Sequence, residues 1–318
     1  KRGTNGYLYS KPIAVGKSSD GRPPHFFDWA PDAQSESGTA DHKVVDWAAG
    51  ELRKPHNKPF FHAVGIFRPH IPWYAPKKYF ALYPKKEVFL PKIKKNDLED
   101  VPKPGQSGIR KKWHEWILKN DEWGGAVRGY LASISFADAQ VGRLLDALDA
   151  SPHAKNTIIV LWSDHGMHIG EKQQWEKFTL FEEATRVPLM IVAPGITKAG
   201  TVCDQPVNLL DVYPTLNELC GLPKRNDLDG VSLVPLLKNP KAKWDRPTIT
   251  TWGKGNHAAR GQRYRYIRHP NGDEQLYDHQ TDPDEFTNLA DKPELSGVKE
   301  RLAKWLPKTN ANPVRNKK

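Results

Sequence analysis

The sequence predicts an α/β domain followed by a small antiparallel-sheet-and-helix module. Three observations carry this prediction. A buried-strand run, TIIVLW at 157–162, leads into a polar cluster and then a second apolar run at 187–193. A long amphipathic stretch, 121–149, precedes them. After residue 238 the pattern changes to short strand-like runs separated by turn residues. Alternation of helix and strand is the mark of a sheet with helices packed on it.

The elements follow in chain order. Residues 1–40 are rich in Gly, Pro, Ser and Asp and read as an irregular lead-in. Asp41 is placed to cap a helix running to about Arg53, with Val44, Val45, Trp47, Ala48 and Leu52 at helical spacing. FFHAVGIF at 60–67 reads as a core strand between Pro59 and Pro69. Residues 69–108 are rich in Pro and Lys and form a long excursion, the kind of loop that usually carries function. In 121–149 the apolar positions Val127, Leu131, Ile134, Val141, Leu144, Leu145 and Leu148 mark one helix. Residues 207–219 form a helix that kinks or starts near Tyr213, because Pro214 lies inside it. Strand-like runs occupy 248–252, 262–268 and 274–278, and the last two are joined through Asn271-Gly272, a hairpin turn. An amphipathic helix spans about 295–306. The linker near 240–246 divides a domain at 1–240 from a subdomain at 246–318, and there are no internal repeats.

With 318 residues, 38% apolar and 27% charged, the chain is globular, and no stretch of 18 apolar residues spans a membrane. The formal charge is +11, concentrated in Lys77–Lys95, Arg110–Lys112, Arg260–Arg268 and Arg315–Lys318. Such charge either solvates a surface or attracts a polyanion. No helix-turn-helix, RRM or zinc-finger signature supports nucleic acid as that polyanion, and a sulfated or carboxylated sugar polymer fits equally well. Cys203 and Cys220 lack ligand-like spacing and read as two thiols, buried or free, with one disulfide possible. The chain begins at Lys1, contains only Met167 and Met190, and shows no signal peptide, so it is expected to be a processed or incomplete piece of something longer.

The chemistry concentrates at the end of the 157–162 strand, where open α/β sheets place their sites. Asp164 and His165 offer a carboxylate and an imidazole for a divalent cation, or else a turn cap and a surface histidine. Gly166 and Gly170 allow a tight turn, and His168 faces either the same cavity or solvent. Lys177 suits sulfate or phosphate oxygens, unless it is a solvated lysine. Glu171, Glu176, Glu182 and Glu183 divide between ion pairs and surface. His70 sits between Pro69 and Pro72 in RPHIPW, which hold it at one angle where it could protonate a leaving oxygen or simply pack in a loop.

Taken together, KPFFHAVGIFRPHIPWYAPKKYFALYP (58–84), the stretch 163–195, VNLLDVYPTLNELCGLP (207–223) and the stretch 263–290 resemble the formylglycine-dependent sulfatases, and within them the iduronate-2-sulfatase-like group. The resemblance implies an alkaline-phosphatase-like sandwich with a central, mostly parallel sheet. It implies Ca²⁺ bound by Asp164 and His165, sulfate held by Lys177, and His70 at the leaving-group oxygen. His168 and Met167 would line the substrate pocket, with Met167 standing where relatives often carry an aromatic residue. The implied substrate is a sulfated saccharide, and the implied compartment is extracellular, periplasmic or lysosomal. The family's C/S-x-P-x-R nucleophile signature and its first aspartate pair for calcium are not found in these 318 residues. The chain alone is therefore expected to be inactive, because two ligands do not satisfy a cation that takes six to eight oxygens and no covalent route to the ester remains. An N-terminal partner segment or a homo-oligomer is the expected complement. The alternatives are a phosphodiesterase or phosphonate hydrolase using Asp164 and His165 for a transition metal, and a non-catalytic remnant that binds sulfated polysaccharide.

Overall fold

The computed structural model describes residues 26–32 and 35–312. They form two units, Lys1–Pro91 with Arg110–Thr157, and Lys92–Ile109 with Ile158–Lys318. Most of the predicted lead-in lies outside the described residues.

In the first unit, strands β1 (Trp29–Asp32) and β2 (Trp73–Pro76) pair in parallel, with Trp29 opposite Trp73. The unit's helices are α1 (Ala40–Leu52), α2 (Lys77–Ala81), α3 (Lys111–Lys119) and α4 (Trp123–Asp149); α2 and α4 lie against the strands and α1 lies against α4. The long helix α4 presses directly on both strands. Two glycines one turn apart permit this. A Cβ on Gly129 would lie 2.5 Å from Trp29 Cβ and 3.3 Å from Trp73 Cβ, and one on Gly125 would lie 2.8 Å from Trp29 Nε1. Further along α4, Ala132 and Phe136 pack with Ala75, Tyr79 and Phe80. Arg128 donates to the carbonyls of Phe80 and Tyr83 at 2.9 and 2.6 Å, closing the end of α2.

Two expectations are corrected here. The cap of α1 is Thr39, whose hydroxyl accepts from the His42 amide at 3.3 Å. Only a side chain just ahead of the first helical residue can turn back to that amide. Asp41 instead accepts from the amides of Phe67 and Arg68 at 2.8 and 3.1 Å, tying α1 to the turn that carries His70. FFHAVGIF is not a strand: it has no ladder partner among the described residues, and Phe61 is 79% exposed. The excursion after it holds more order than expected, since it contains β2 and α2.

In the second unit, β3 (Ile159–Trp162) pairs antiparallel with β6 (Leu189–Val192). The register places Ile159, Leu161, Met190 and Val192 on one face and Val160, Trp162, Leu189 and Ile191 on the other. Both faces are apolar, the pattern of strands interior to a larger sheet. Between them come the hairpin β4 (His168–Ile169) and β5 (Trp175–Glu176) and the single turn α5 (Glu182–Thr185). Helix α6 (Val212–Leu219) starts just before Tyr213, so Pro214 occupies the first turn, where no amide partner is lost. A short helix, α7 (Val234–Lys238), follows. The 240–246 segment lies inside this unit, with Trp244 donating to the Pro206 carbonyl at 3.0 Å.

The C-terminal module is an antiparallel sheet of β7 (Thr248–Thr251), β8 (His257–Arg260), β9 (Tyr264–Arg268) and β10 (Glu274–Asp278), in the order β10-β9-β8-β7. The β9–β10 turn is closed by the His269 amide on the Asp273 carbonyl at 2.9 Å, with Gly272 at φ +92°. One face packs Ala258, Ile267 and Tyr277 on Leu98, Val101, Leu180 and Phe181. The other packs Ala259, Tyr266 and Leu276 on Leu302 and Leu306, in and just after helix α8 (Ser296–Ala303). Both cysteines are free and exposed.

The close approach of α4 makes a prediction. Gly129→Ala should destabilise the chain by about 1–3 kcal/mol through overpacking. Gly142→Ala, on the same helix with nothing within 4 Å of the new methyl, should be neutral or stabilise by up to about 1 kcal/mol through helix propensity. The denaturant midpoint of Gly129→Ala should therefore fall while that of Gly142→Ala holds or rises; an equal fall in both contradicts the packing account.

Candidate active site

Strand β3 ends at Trp162, and Ser163, Asp164, His165 and Gly166 make the turn that follows. The turn is held by short bonds. Ser163 Oγ donates to the His165 carbonyl at 2.9 Å, and the His165 amide donates to Asp164 Oδ1 at 3.1 Å. His165 Nδ1 lies 2.8 Å from the Gly166 carbonyl, so Nδ1 carries the proton and Nε2 the lone pair. Nε2 is 3.8 Å from Asp164 Oδ2, and the Asp164 side chain is 76% exposed. A carboxylate oxygen and an imidazole lone pair thus converge at an accessible point. The carbonyl behind the ring is the usual outer partner of a metal-binding histidine.

Gly166 is where this turn meets α5. Its amide donates to the Ala184 carbonyl at 2.9 Å. A Cβ at this position would lie 1.9 Å from the Glu183 carbonyl oxygen and 3.1 Å from that of Arg186. No residue with a side chain fits without moving backbone.

The next residues diverge from the sequence reading. Met167 is largely buried, and His168 is wholly buried. His168 faces neither solvent nor an open cavity: its Nε2 bonds Thr179 Oγ1 at 2.8 Å, and its Nδ1 lies 4.0 Å from Glu183 Oε2. As a substrate contact it is corrected to a core histidine. Lys177 follows β5, beyond a hairpin turned tightly by Gly170, Lys172 and Gln173, all at positive φ. Its ammonium lies 5.3 Å from the Phe178 ring centre. The hairpin is pinned by Lys172, which donates to Asp97 at 2.7 Å and to the Glu285 carbonyl, within 5.2–5.7 Å of the rings of Phe181, Tyr277 and Phe286. His70 belongs to the first unit. Its ring stacks on Phe67 at 4.7 Å, and its Nδ1 lies 2.6 Å from the Ile71 carbonyl, again leaving the lone pair on Nε2.

A buried charge cluster lies behind α5. Among the described residues, only Glu182, His279 and Glu285 bring three metal-capable side chains within 4.8 Å of one another. They are already neutralised. Arg265 donates to Glu285 at 2.5 Å and to Glu182, and Arg260 donates to Glu182 at 3.2 Å. Burial alone would raise the Glu285 carboxyl, but Arg265 and the His279 bond outweigh it and bring it down to about 2. This is an internal ion cluster. Sequence reading missed Arg265 and Glu285, since a basic residue in RYRYIR and an acidic one in DPDEF look like surface.

Glu183 and His168 behave in the opposite way. Burial pushes the Glu183 carboxyl up to about 8 and the His168 ring down to about 3. Folding therefore gives Glu183 a proton between its ordinary 4.5 and about 8, so stability falls as pH rises through that window. Folding removes a proton from His168 between about 3 and its ordinary 6.5, so stability rises with pH there. The two slopes cancel between 4.5 and 6.5, and Glu183 acts alone from 6.5 to about 8. Across that last interval the wild-type chain should lose about 1.4 kcal/mol per pH unit relative to Glu183→Gln. Parallel stability curves for the two proteins, measured by denaturant unfolding, would refute a protonated Glu183.

Comparison with known proteins is consistent throughout. The family model described as Sulfatase matches residues 6–222, and that of N-sulphoglucosamine sulphohydrolase, C-terminal, matches residues 170–312. A sulfatase of Formosa agariphila is 42% identical over 287 residues, covering 89% of this chain and 56% of that protein. The iduronate 2-sulfatase of Homo sapiens is 35% identical over 200 residues, 59% of this chain and 36% of the relative. A protein solved in complex with its substrate D-glucosamine-2-N,6-O-disulfate superposes with a TM-score of 0.69 at 22% identity, over 84% of this chain and 68% of that one. The phosphonate monoester hydrolase of Agrobacterium radiobacter gives 0.74 at 22% identity, over 86% and 61%. The fold is thus alkaline-phosphatase-like. The chain spans about half the length of the curated relatives it matches. With the family model covering most of its length and the strand-end turn in place, this chain belongs to the sulfatase family.

Proposed function

We propose that this chain carries part of the active centre of a sulfatase acting on sulfated carbohydrate. Asp164 and His165 serve as ligands of Ca²⁺, Lys177 as the sulfate-binding cation, and His70 as the group that protonates the leaving oxygen. The observation that carries the reading is the Asp164–His165 turn: Oδ2 and Nε2 converge at 3.8 Å on an exposed point, with the ring's other nitrogen bonded to a backbone carbonyl. The sulfatase family generally binds a divalent metal, and these donor atoms fit one. A bound ion would supply positive charge against the sulfate oxygens. The hard carboxylate oxygen favours Ca²⁺ over a thiophilic metal.

The chain's own residues then have separable tasks. The Lys177 ammonium holds an anionic oxygen as a point charge. His70, with its Nδ1–H on the Ile71 carbonyl, exchanges protons at Nε2. The side chains of His168 and Met167 stay in the interior and support the turn from behind. The nucleophile is not among the candidates found in these 318 residues, so the chain by itself turns over sulfate esters slowly or not at all. A homo-oligomer or a further segment of the family fold is the expected complement. An extracellular, periplasmic or lysosomal setting fits a sulfated-glycan substrate, and among the described residues no helix is long and apolar enough to cross a membrane.

In a polypeptide joining this sequence to a nucleophile-bearing sulfatase segment, Lys177→Ala and His70→Ala should each lower kcat/KM on a sulfated saccharide by about 100-fold or more. Unchanged rates would remove both assignments. Turnover of phosphate diesters with Mn²⁺ or Zn²⁺ in place of sulfate esters with Ca²⁺ would point to the phosphoester branch. Salt-sensitive retention on heparin without hydrolysis would point to a binding protein.

A further inference from the structure

We infer that Arg265 and Glu285, about one hundred residues downstream of the candidate metal ligands, are positioning residues for them. The connection runs through α5. Glu285 lies wholly buried and accepts the Glu182 amide at 3.0 Å, which fixes the start of α5. Arg265, 1% exposed, donates to Glu285, to the Glu182 carboxylate and, at 3.1 Å, to the Leu180 carbonyl, which fixes the chain entering α5. The carbonyls of α5 in turn seat Gly166, through the bond to Ala184 and the contact with Glu183. Gly166 directly follows the Asp164–His165 pair. Each link is a backbone contact or a charged hydrogen bond between buried or half-buried groups, so displacement at one end reaches the other with little slack.

The direction of control follows from the energetics. α5 is a single turn of four residues and cannot hold its own place. The β7–β10 sheet, with packed residues on both faces, can. The C-terminal module therefore sets the angle at which Asp164 and His165 present their oxygen and nitrogen. Metal coordination tolerates misplacement of a few tenths of an ångström. The positioning role rests on the reading of Asp164 and His165 as ligands, but the seating of Gly166 stands apart from it and can be measured separately.

Amide hydrogen exchange of the whole chain tests the inference. The variants are Arg265→Met with Glu285→Met, which replaces the ion pair by apolar volume, and Glu285→Gln, which retains shape and an acceptor for the Glu182 amide. Arg263→Met, which breaks the Arg263–Asp278 pair of the same sheet, is the control. The expected result is faster exchange at the Gly166 amide, by at least roughly tenfold in the double variant and in the same direction in Glu285→Gln, with β9 amides within roughly threefold of wild type and Arg263→Met silent at Gly166. Unchanged Gly166 exchange in both test variants would overturn the inference. So would acceleration at Gly166 that is matched in β9, since that marks a merely structural role. If the double variant does not fold, Glu285→Gln decides alone. Titration of Ca²⁺ against the His165 ring resonances, in the polypeptide joined to a nucleophile-bearing sulfatase segment, separates the two readings: a Gly166 response in the variants with no Ca²⁺ response in that joined wild type upholds the positioning and sinks the metal assignment.

Discussion

Glu285 keeps its negative charge with none of its surface in water, and much of the second unit is arranged around that fact. An isolated carboxylate in such a place would take a proton. It stays ionised because Arg265 and His279 reach one oxygen and the Glu182 amide reaches the other. These partners come from β9, from the loop after β10 and from α5. Lys172 arrives from the β4–β5 hairpin on the Glu285 backbone carbonyl. One residue thus fastens four separate stretches of chain. Removing a single partner from such a cluster costs about 3–5 kcal/mol, because the remaining charge is left buried. The cluster therefore acts as a unit.

How much of this was legible in the sequence varies with the kind of order. Helix α4 was legible because its apolar positions repeat over seven turns, and the β9–β10 turn because Asn271-Gly272 permits few other backbones. Strands β3 and β6 were legible as apolar runs. FFHAVGIF reads just as apolar, yet it forms no ladder: a strand is a relation between two segments, and the run alone does not contain its partner. The reverse error occurs at β8, whose residues HAAR carry no β-branched side chain. They become a strand because β7 and β9 lie on either side to pair with them.

The candidate site, whose roles remain those proposed above, drew on a similar mixture of signals. Asp164, His165 and Lys177 stood out by type and by their place at a strand end, and resemblance to a family turned them into roles. His168 misled, since histidine beside a glycine-rich turn suggests a cavity. Its neutral ring instead fills the interior against Thr179 and Phe181. Arg265 and Glu285 carried no signal, because one-letter alternation along β9 predicts one wet face, and this sheet has none. A residue charged in sequence is read as surface unless its partner is known, and the partner here is twenty residues away.

Proximity of donor atoms is a poor guide to which acidic group meets a cation. Glu182, His279 and Glu285 lie closer together than any other metal-capable trio among the described residues, and all are half-buried or buried. Two arginines already balance their two carboxylates, so an ion placed there would add net positive charge to a low-dielectric interior. Asp164 presents the reverse case. Among the described residues its ion-pair partner within 4 Å is its neighbour's imidazole; it accepts the His165 amide and shows most of its side chain to solvent. Among the described residues no arginine or lysine forms an ion pair with it, and its exposed side chain is reached without rearrangement of the core. A cation gains more from that exposed carboxylate and the oriented lone pair beside it than from the tighter cluster behind. The rigid, neutral cluster is then free to serve as the footing on which the exposed pair stands.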